Sequence, residues 1–210
     1  MPNHAQLKGL YVLTDERLGE RLETVVATAL DGGARLVQYR DKSKDAARRE
    51  AEARMLRELT RRHDALLIVN DDPELADRVE ADGVHLGRDD PDMAEARRLL
   101  GDDAIIGVSC YDSLQPARDA VAAGADYVAF GSVYPSPTKP DAVHAPLGLF
   151  TAAKRELDVP ICAIGGITPG NAPPVVAAGA DLLAVVSAVL FADDPESAAR
   201  AFSRLFGNGP

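Results

Sequence analysis

The chain has 210 residues, 23 Lys+Arg against 33 Asp+Glu, and a formal net charge of −10. Its 46 % hydrophobic and 27 % charged residues are ordinary for a folded globular protein and exclude wholesale disorder. At this length roughly 70 % of the unfolded surface can be buried, and the acidic balance argues against a nucleic-acid partner, which needs a basic face.

No apolar run approaches the ~18–20 residues of a membrane span, so no membrane partner is expected. The first residues, Met1 to Gln6, carry neither the charged nor the apolar region of a signal peptide. Cys110 and Cys162 are far from any CxxC spacing and suggest free, buried thiols in a reducing compartment, so a cytoplasmic location is expected.

In chain order, eight short runs rich in Val, Ile, Leu and Ala cover 10–13, 36–39, 66–69, 83–86, 105–108, 127–130, 161–164 and 182–186. Their near-continuous apolarity fits strands buried on both faces of a parallel sheet. Segments with helical spacing lie between them. Residues 45–62 align Ala51, Met55 and Leu59; 91–100 align Met93, Ala96, Leu99 and Leu100; 195–206 align Ala198, Phe202, Leu205 and Phe206. Asp-Pro pairs at 72–73, 90–91 and 194–195 each offer a helix cap followed by proline at the first helical position.

A weak internal repeat supports the alternation. Ala123-Gly124-Ala125-Asp126 matches Ala178-Gly179-Ala180-Asp181, with looser copies at Gly32-Gly33-Ala34-Arg35 and Ala81-Asp82-Gly83. Each copy reads as a helix end, a turn and the start of a strand. Eight such βα units predict one (β/α)8 TIM barrel domain over residues 1–210. The rival, a doubly wound open sheet, lacks support: no GxGxxG follows the first strand, and the eighth is as apolar as the middle ones.

In a barrel, chemistry comes from the C-terminal ends of strands. Those ends supply Gln38-Tyr39-Arg40-Asp41-Lys42, Asn70-Asp71, Asp90, Ser109, Pro135-Ser136-Pro137-Thr138-Lys139, Gly165-Gly166 and Val186-Ser187. Arg40, Lys42 and Lys139 are cations suited to phosphate. Asp71 and Asp90 are carboxylates that, with phosphate oxygens and water, suit Mg²⁺. The last two strand ends fit a phosphate held by backbone N–H groups.

Plainer readings stand beside these. Asp72 reads as a helix cap, and a cap competes with the metal role at Asp90. Arg40 and Lys42 could be solvated loop charges. His85, in mid-strand, reads as a barrel-interior histidine, and buried packing is the better reading of Cys110. No HExxH or nucleophile elbow is present, which argues against a zinc protease or a serine hydrolase.

Over nearly its whole length the chain resembles the thiamine-phosphate synthase family (thiamine-phosphate pyrophosphorylases). The matching motifs are Tyr11-Val12-Leu13-Thr14-Asp15, Gln38-Tyr39-Arg40-Asp41-Lys42, Asn70-Asp71, Gly83-Val84-His85-Leu86-Gly87, Pro135-Ser136-Pro137-Thr138-Lys139, Ile164-Gly165-Gly166-Ile167 and Val185-Val186-Ser187-Ala188. The resemblance implies a Mg²⁺-dependent transferase that joins a pyrimidine methyl diphosphate to a thiazole ethyl phosphate, giving thiamine monophosphate and pyrophosphate. It implies that Gln38, Arg40, Lys42, Asn70 and Lys139, with the rest of the 38–42 segment, hold the pyrimidine diphosphate. Ser109 would lie by the pyrimidine, and Asp71 and Asp90 would carry the metal. Ser136, Pro137 and Thr138, with Gly166, Val186 and Ser187, would hold the thiazole phosphate. Catalysis would fall to Arg40, Lys42, Lys139 and Ser109, and the segment 132–146 would act as a lid. The family usually has Gln where this chain has Arg88, and frequently Thr where it has Ser136. A thiazole tautomerase of the same barrel, a sugar-phosphate epimerase and a non-catalytic phosphate-binding barrel are the alternatives, and a homo-oligomer is compatible with the sequence.

Overall fold

A computed structural model describes residues 7–87, 92–135 and 143–207. Eight parallel strands close into one barrel in sequence order. They are β1 (Gly9–Leu13), β2 (Leu36–Tyr39), β3 (Leu66–Asn70), β4 (Gly83–Leu86), β5 (Ile105–Tyr111), β6 (Tyr127–Gly131), β7 (Ile161–Ile164) and β8 (Leu182–Val185). β8 pairs back onto β1, Leu182 opposite Gly9 and Val185 opposite Val12. Every expected strand is present, and the open sheet is excluded by that closure.

The helices are α1 (Leu22–Asp31), α2 (Ala46–Arg62), α3 (Pro73–Arg78), α4 (Met93–Leu100), α5 (Leu114–Ala122), α6 (Leu147–Glu156), α7 (Pro173–Ala177), the short α8 (Ser187–Leu190) and α9 (Pro195–Ser203). Asp72 and Asp194 cap α3 and α9 as expected: each carboxylate accepts the N–H three residues on, with proline in the first turn. At α4 the cap is Asp92, two residues beyond the expected Asp90, and its carboxylate accepts from Ala94 N at 2.8 Å. None of the described helices is long and apolar enough to cross a membrane.

Two helical faces differ from expectation. On α2 the fully buried residues are Ala53, Leu56, Leu59 and Thr60, while Ala51 is exposed and Met55 only partly covered. Alanine fits either side of a helix, so Ala51 carried little information about which face is buried. On α4, Leu99 is 44 % exposed, and Ala96 is the buried residue.

Alternation along the strands divides the core in two. Outward residues such as Val12, Val37, Leu67, Val84, Ile106, Val128, Ala163 and Leu183 pack under the helices. Inward residues, among them Tyr11, Leu36, Ile68, Ile105, Tyr127, Cys162 and Leu182, fill the barrel. Both faces of each strand are thus buried, which is why the runs read as nearly unbroken hydrophobicity. Gly107 makes room inside: a Cβ there would sit 2.0 Å from Tyr127 Cζ.

The sequence repeat proves to be a clasp at the N-terminal end of the barrel. The residue just before β4, β6 and β8 is Asp82, Asp126 or Asp181. Its N–H donates to the carbonyl of Leu67, Ile106 or Ile161 on the preceding strand. Its carboxylate accepts back from the N–H of that same residue, at 2.7, 2.8 and 2.9 Å. A cation from the preceding even-numbered helix completes each clasp: Arg57 at 2.6 Å, Arg97 at 2.7 Å and Lys154 at 2.7 Å. Three quarters of the barrel share this unit. In the fourth, Arg35 stands at the equivalent place before β2; its N–H still donates to Leu10 O, and the carboxylate is missing.

Candidate active site

At the opposite end of the strands, inward alternation gathers the expected polar residues. Gln38 shares the inward phase of Leu36 on β2, Asn70 that of Leu66 and Ile68 on β3, and Ser109 that of Ile105 and Gly107 on β5. Gln38 is buried, whereas Asn70 and Ser109 are partly exposed. These three therefore line one mouth.

Arg40 follows directly on β2 and is partly exposed. It is fixed by Thr14 at the end of β1, whose Oγ1 accepts from Arg40 N at 2.8 Å and donates to Arg40 O at 3.2 Å. Lys42 is exposed on the rim, and its N–H donates to Glu16 Oε2 at 3.2 Å. Tyr39 and Asp41 face the other way. Tyr39 Oη donates to Glu52 of α2 at 2.8 Å, and Asp41 pairs with Arg48 of α2 at 2.6 Å. Their side chains brace the loop against the helix layer, leaving the backbone as their route to a ligand in the mouth.

Asp71 follows β3 with φ +62, a left-handed conformation that Asp tolerates better than most residues, and its N–H donates to His85 O at 2.9 Å. Its half-buried place at the mouth and its hard oxygen donors fit a Mg²⁺ ion, which typically takes one or two carboxylates and keeps waters. Asp90 lies outside the described residues, as do Arg88, Ser136, Pro137, Thr138 and Lys139. Among the described residues no three His, Cys, Asp or Glu side chains cluster at metal-binding distance.

Both ends of the 132–146 connection are pinned. Ser132 N donates to Val143 O at 2.8 Å and Ala145 N to Ser132 O at 2.9 Å, while Tyr134 N donates to Gly165 O at 3.0 Å. The glycines after β7 make that contact feasible: at Gly166, with φ +62, a Cβ would lie 2.5 Å from Pro135 O. Asn171 Nδ2 donates to Gly166 O at 3.0 Å and holds the turn. Val186 and the exposed Ser187, where α8 starts, follow directly on the neighbouring strand β8.

Sequence reasoning missed the residues beneath the mouth. Tyr11 and Tyr127 are buried inside the barrel with His85, their rings edge-on at 6.2 Å and Tyr127 stacked on His85 at 5.6 Å. Burial drives both phenols well above the ordinary tyrosine range, so they stay protonated. The available signal was a polar-tipped aromatic at an inward position, in phase with Gln38 and Ser109. Beside the mouth, hydrogen bonds from Arg17 hold the Asp15 carboxyl below its usual value.

Comparison with known proteins follows the same lines. Residues 10–189 match the family model described as thiamine monophosphate synthase. The thiamine-phosphate synthase of Thioalkalivibrio sulfidiphilus is 58 % identical over 207 residues, covering 96 % of both chains. That of Chromobacterium violaceum is 57 % identical over 203 residues, covering 96 % of this chain and 98 % of the relative. A solved thiamine phosphate pyrophosphorylase from Pyrococcus furiosus superposes with a TM-score of 0.87 at 37 % identity, covering 97 % of each chain. The match to the family model over residues 10–189 and the identity to these relatives show that the chain belongs to the thiamine monophosphate synthase family.

Proposed function

We propose that the chain condenses 4-amino-2-methyl-5-(diphosphooxymethyl)pyrimidine with thiazole ethyl phosphate or its carboxylated form, releasing pyrophosphate and forming thiamine monophosphate. The observation that carries this reading is the convergence of Gln38, Asn70 and Ser109 on one barrel mouth, with Arg40 and Lys42 beside them. Gln38, Asn70 and Ser109 orient the pyrimidine. Arg40, Lys42 and Lys139 take up the charge of the departing diphosphate. Gly166, Val186 and Ser187, with Ser136, Pro137 and Thr138, seat the thiazole phosphate so that its ring nitrogen faces the pyrimidine methylene.

The displacement is dissociative: the C–O bond to diphosphate breaks, the electron-rich pyrimidine spreads the positive charge, and the thiazole nitrogen captures the carbon. No covalent nucleophile is needed, which agrees with the absence of a nucleophile elbow in the sequence. Asp71 and Asp90 would hold Mg²⁺, which when bound offsets charge on the diphosphate oxygens. The site must also keep water from the cation.

The test is pyrophosphate release from purified protein given both substrates and Mg²⁺. Release that requires the thiazole partner is expected; a tautomerase or a binding protein gives none. Lys139→Ala and Asp71→Ala should each lower turnover by orders of magnitude with circular dichroism unchanged, and wild-type rates in either variant would overturn the assignment.

A further inference from the structure

Five polar side chains inside the barrel form one continuous hydrogen-bonded chain. Gln38 Nε2 donates to Tyr11 Oη at 2.8 Å. Tyr11 Oη lies 3.0 Å from Tyr127 Oη. Tyr127 Oη lies 2.9 Å from His85 Nδ1, and His85 Nε2 lies 2.8 Å from Ser109 Oγ. The chain crosses the barrel from β2 through β1, β6 and β4 to β5.

The Gln38 Nε2 donor and one proton per hydroxyl together define one fully paired direction. Each hydroxyl has one proton, a neutral imidazole has one N–H, and an amide nitrogen can only donate. With Gln38 donating to Tyr11, the arrangement that leaves neither buried phenol proton unpaired passes the Tyr11 proton to Tyr127 and the Tyr127 proton to His85 Nδ1. In a neutral His85 the imidazole proton then resides on Nε2 and is donated to Ser109 Oγ. The proton of Ser109 is left free for a group in the mouth. Turning the Gln38 amide over would reverse every bond, and the Ser109 proton would be consumed by His85. The orientation of one amide on β2 thus decides whether a serine on β5 offers a proton or only lone pairs. Neither phenol ionises in working conditions, so neither breaks the sequence with a phenolate.

We propose that Tyr11 and Tyr127 are positioning residues that hold His85 in the Nε2–H tautomer and present Ser109 as a hydrogen-bond donor to an acceptor atom of the heteroaromatic substrate ring. The proposal rests on the reading above that Ser109 faces the pyrimidine.

Two measurements test it. Nitrogen NMR of ¹⁵N-histidine-labelled protein without substrate should find the His85 proton on Nε2. Tyr127→Phe, which keeps the ring over Gly107, should make the tautomers mix. In steady-state kinetics Tyr127→Phe should lower kcat by roughly tenfold, the equivalent of one hydrogen bond, with KM for the thiazole phosphate little changed. Because the two residues act through one chain, Tyr127→Phe combined with Ser109→Ala should lose no more than Ser109→Ala alone. Should Tyr127→Phe fail to fold, Tyr11→Phe cuts the neighbouring link with the same expected readouts. A proton on Nδ1 in the wild type, wild-type kinetics in the folded variant, or losses that multiply in the double variant overturn the proposal. A wild-type protein that releases no pyrophosphate overturns the functional reading and with it the role of Ser109, whichever nitrogen carries the proton.

Discussion

Removing one carboxylate from the clasps at the N-terminal end of the barrel tests what locks neighbouring βα units together. Asp126→Ala takes away an acceptor that lies 2.8 Å from Ile106 N and 2.7 Å from Arg97 Nη2. The Asp126 side chain is only 9 % exposed and that of Arg97 23 %, so water cannot fully replace either bond. A stranded buried N–H costs about 1–3 kcal/mol. Breaking a buried ion pair costs about 3–5 kcal/mol. The lower part of that range applies, because Arg97 keeps the carbonyls of Ala104, at 2.5 Å, and Gly124, at 3.2 Å. The expected loss is therefore about 3 kcal/mol for the alanine variant. For a chain of this size that lowers the melting temperature by about 6–12 °C. Asp126→Asn keeps an oxygen for Ile106 N–H and should lose roughly half as much. Arg35→Ala, at the quarter without a carboxylate, should stay within about 0.5 kcal/mol of wild type. Differential scanning calorimetry of the three variants reads these values. Pyrophosphate release at 25 °C should be unchanged in all of them, since the clasp sits at the end of the barrel away from the mouth. A melting temperature for Asp126→Ala within about 2 °C of wild type, or a loss of turnover in a variant that is still fully folded at 25 °C, would refute the reasoning.

Two further outcomes follow from titration. Burial pushes the Cys110 thiol up to about 12 and raises that of Cys162 as well, so a thiolate is scarce near neutrality. A thiol reagent at neutral pH should leave the folded protein unlabelled and modify both cysteines once it is unfolded; stoichiometric labelling of the folded protein would contradict the burial. Because Arg17 holds the Asp15 carboxyl below its ordinary 3.8, this group's stabilisation is complete above that value and fades as pH falls through the lower folded one. Asp15→Asn should therefore shift the urea midpoint downward at neutral pH and progressively less in acid, and a penalty independent of pH would remove Asp15 as its source.

The βα alternation was legible because each strand is buried on both sides, leaving eight unbroken apolar runs, and because short polar side chains before proline mark helix starts. Asp72 and Asp194 illustrate the second point. Asp90 shows its limit: an Asp-Pro pair is a local preference, and Asp92, one position beyond Pro91, supplies the cap. Ala51 and Leu99 show another, since an alanine or a single leucine on a short helix does not fix which face meets the barrel.

The residue types at the mouth were also set by sequence alone, because the C-terminal strand ends in a barrel share one rim and period-two alternation points Gln38, Asn70 and Ser109 the same way. What alternation could not tell is what lies across the barrel. Tyr39 and Asp41 belong to the same five-residue motif as Gln38 and Arg40, yet they bind Glu52 and Arg48 on α2. The repeat of Asp82, Asp126 and Asp181 was visible as a turn, but its carboxylates reach back to strands 15 to 20 residues earlier. The chain from Gln38 to Ser109 joins side chains up to 116 residues apart. Local sequence determines the phase of each strand and the chemistry it carries inward. Only closure of the sheet decides which inward groups touch, because those contacts run across the barrel between strands that are distant in sequence.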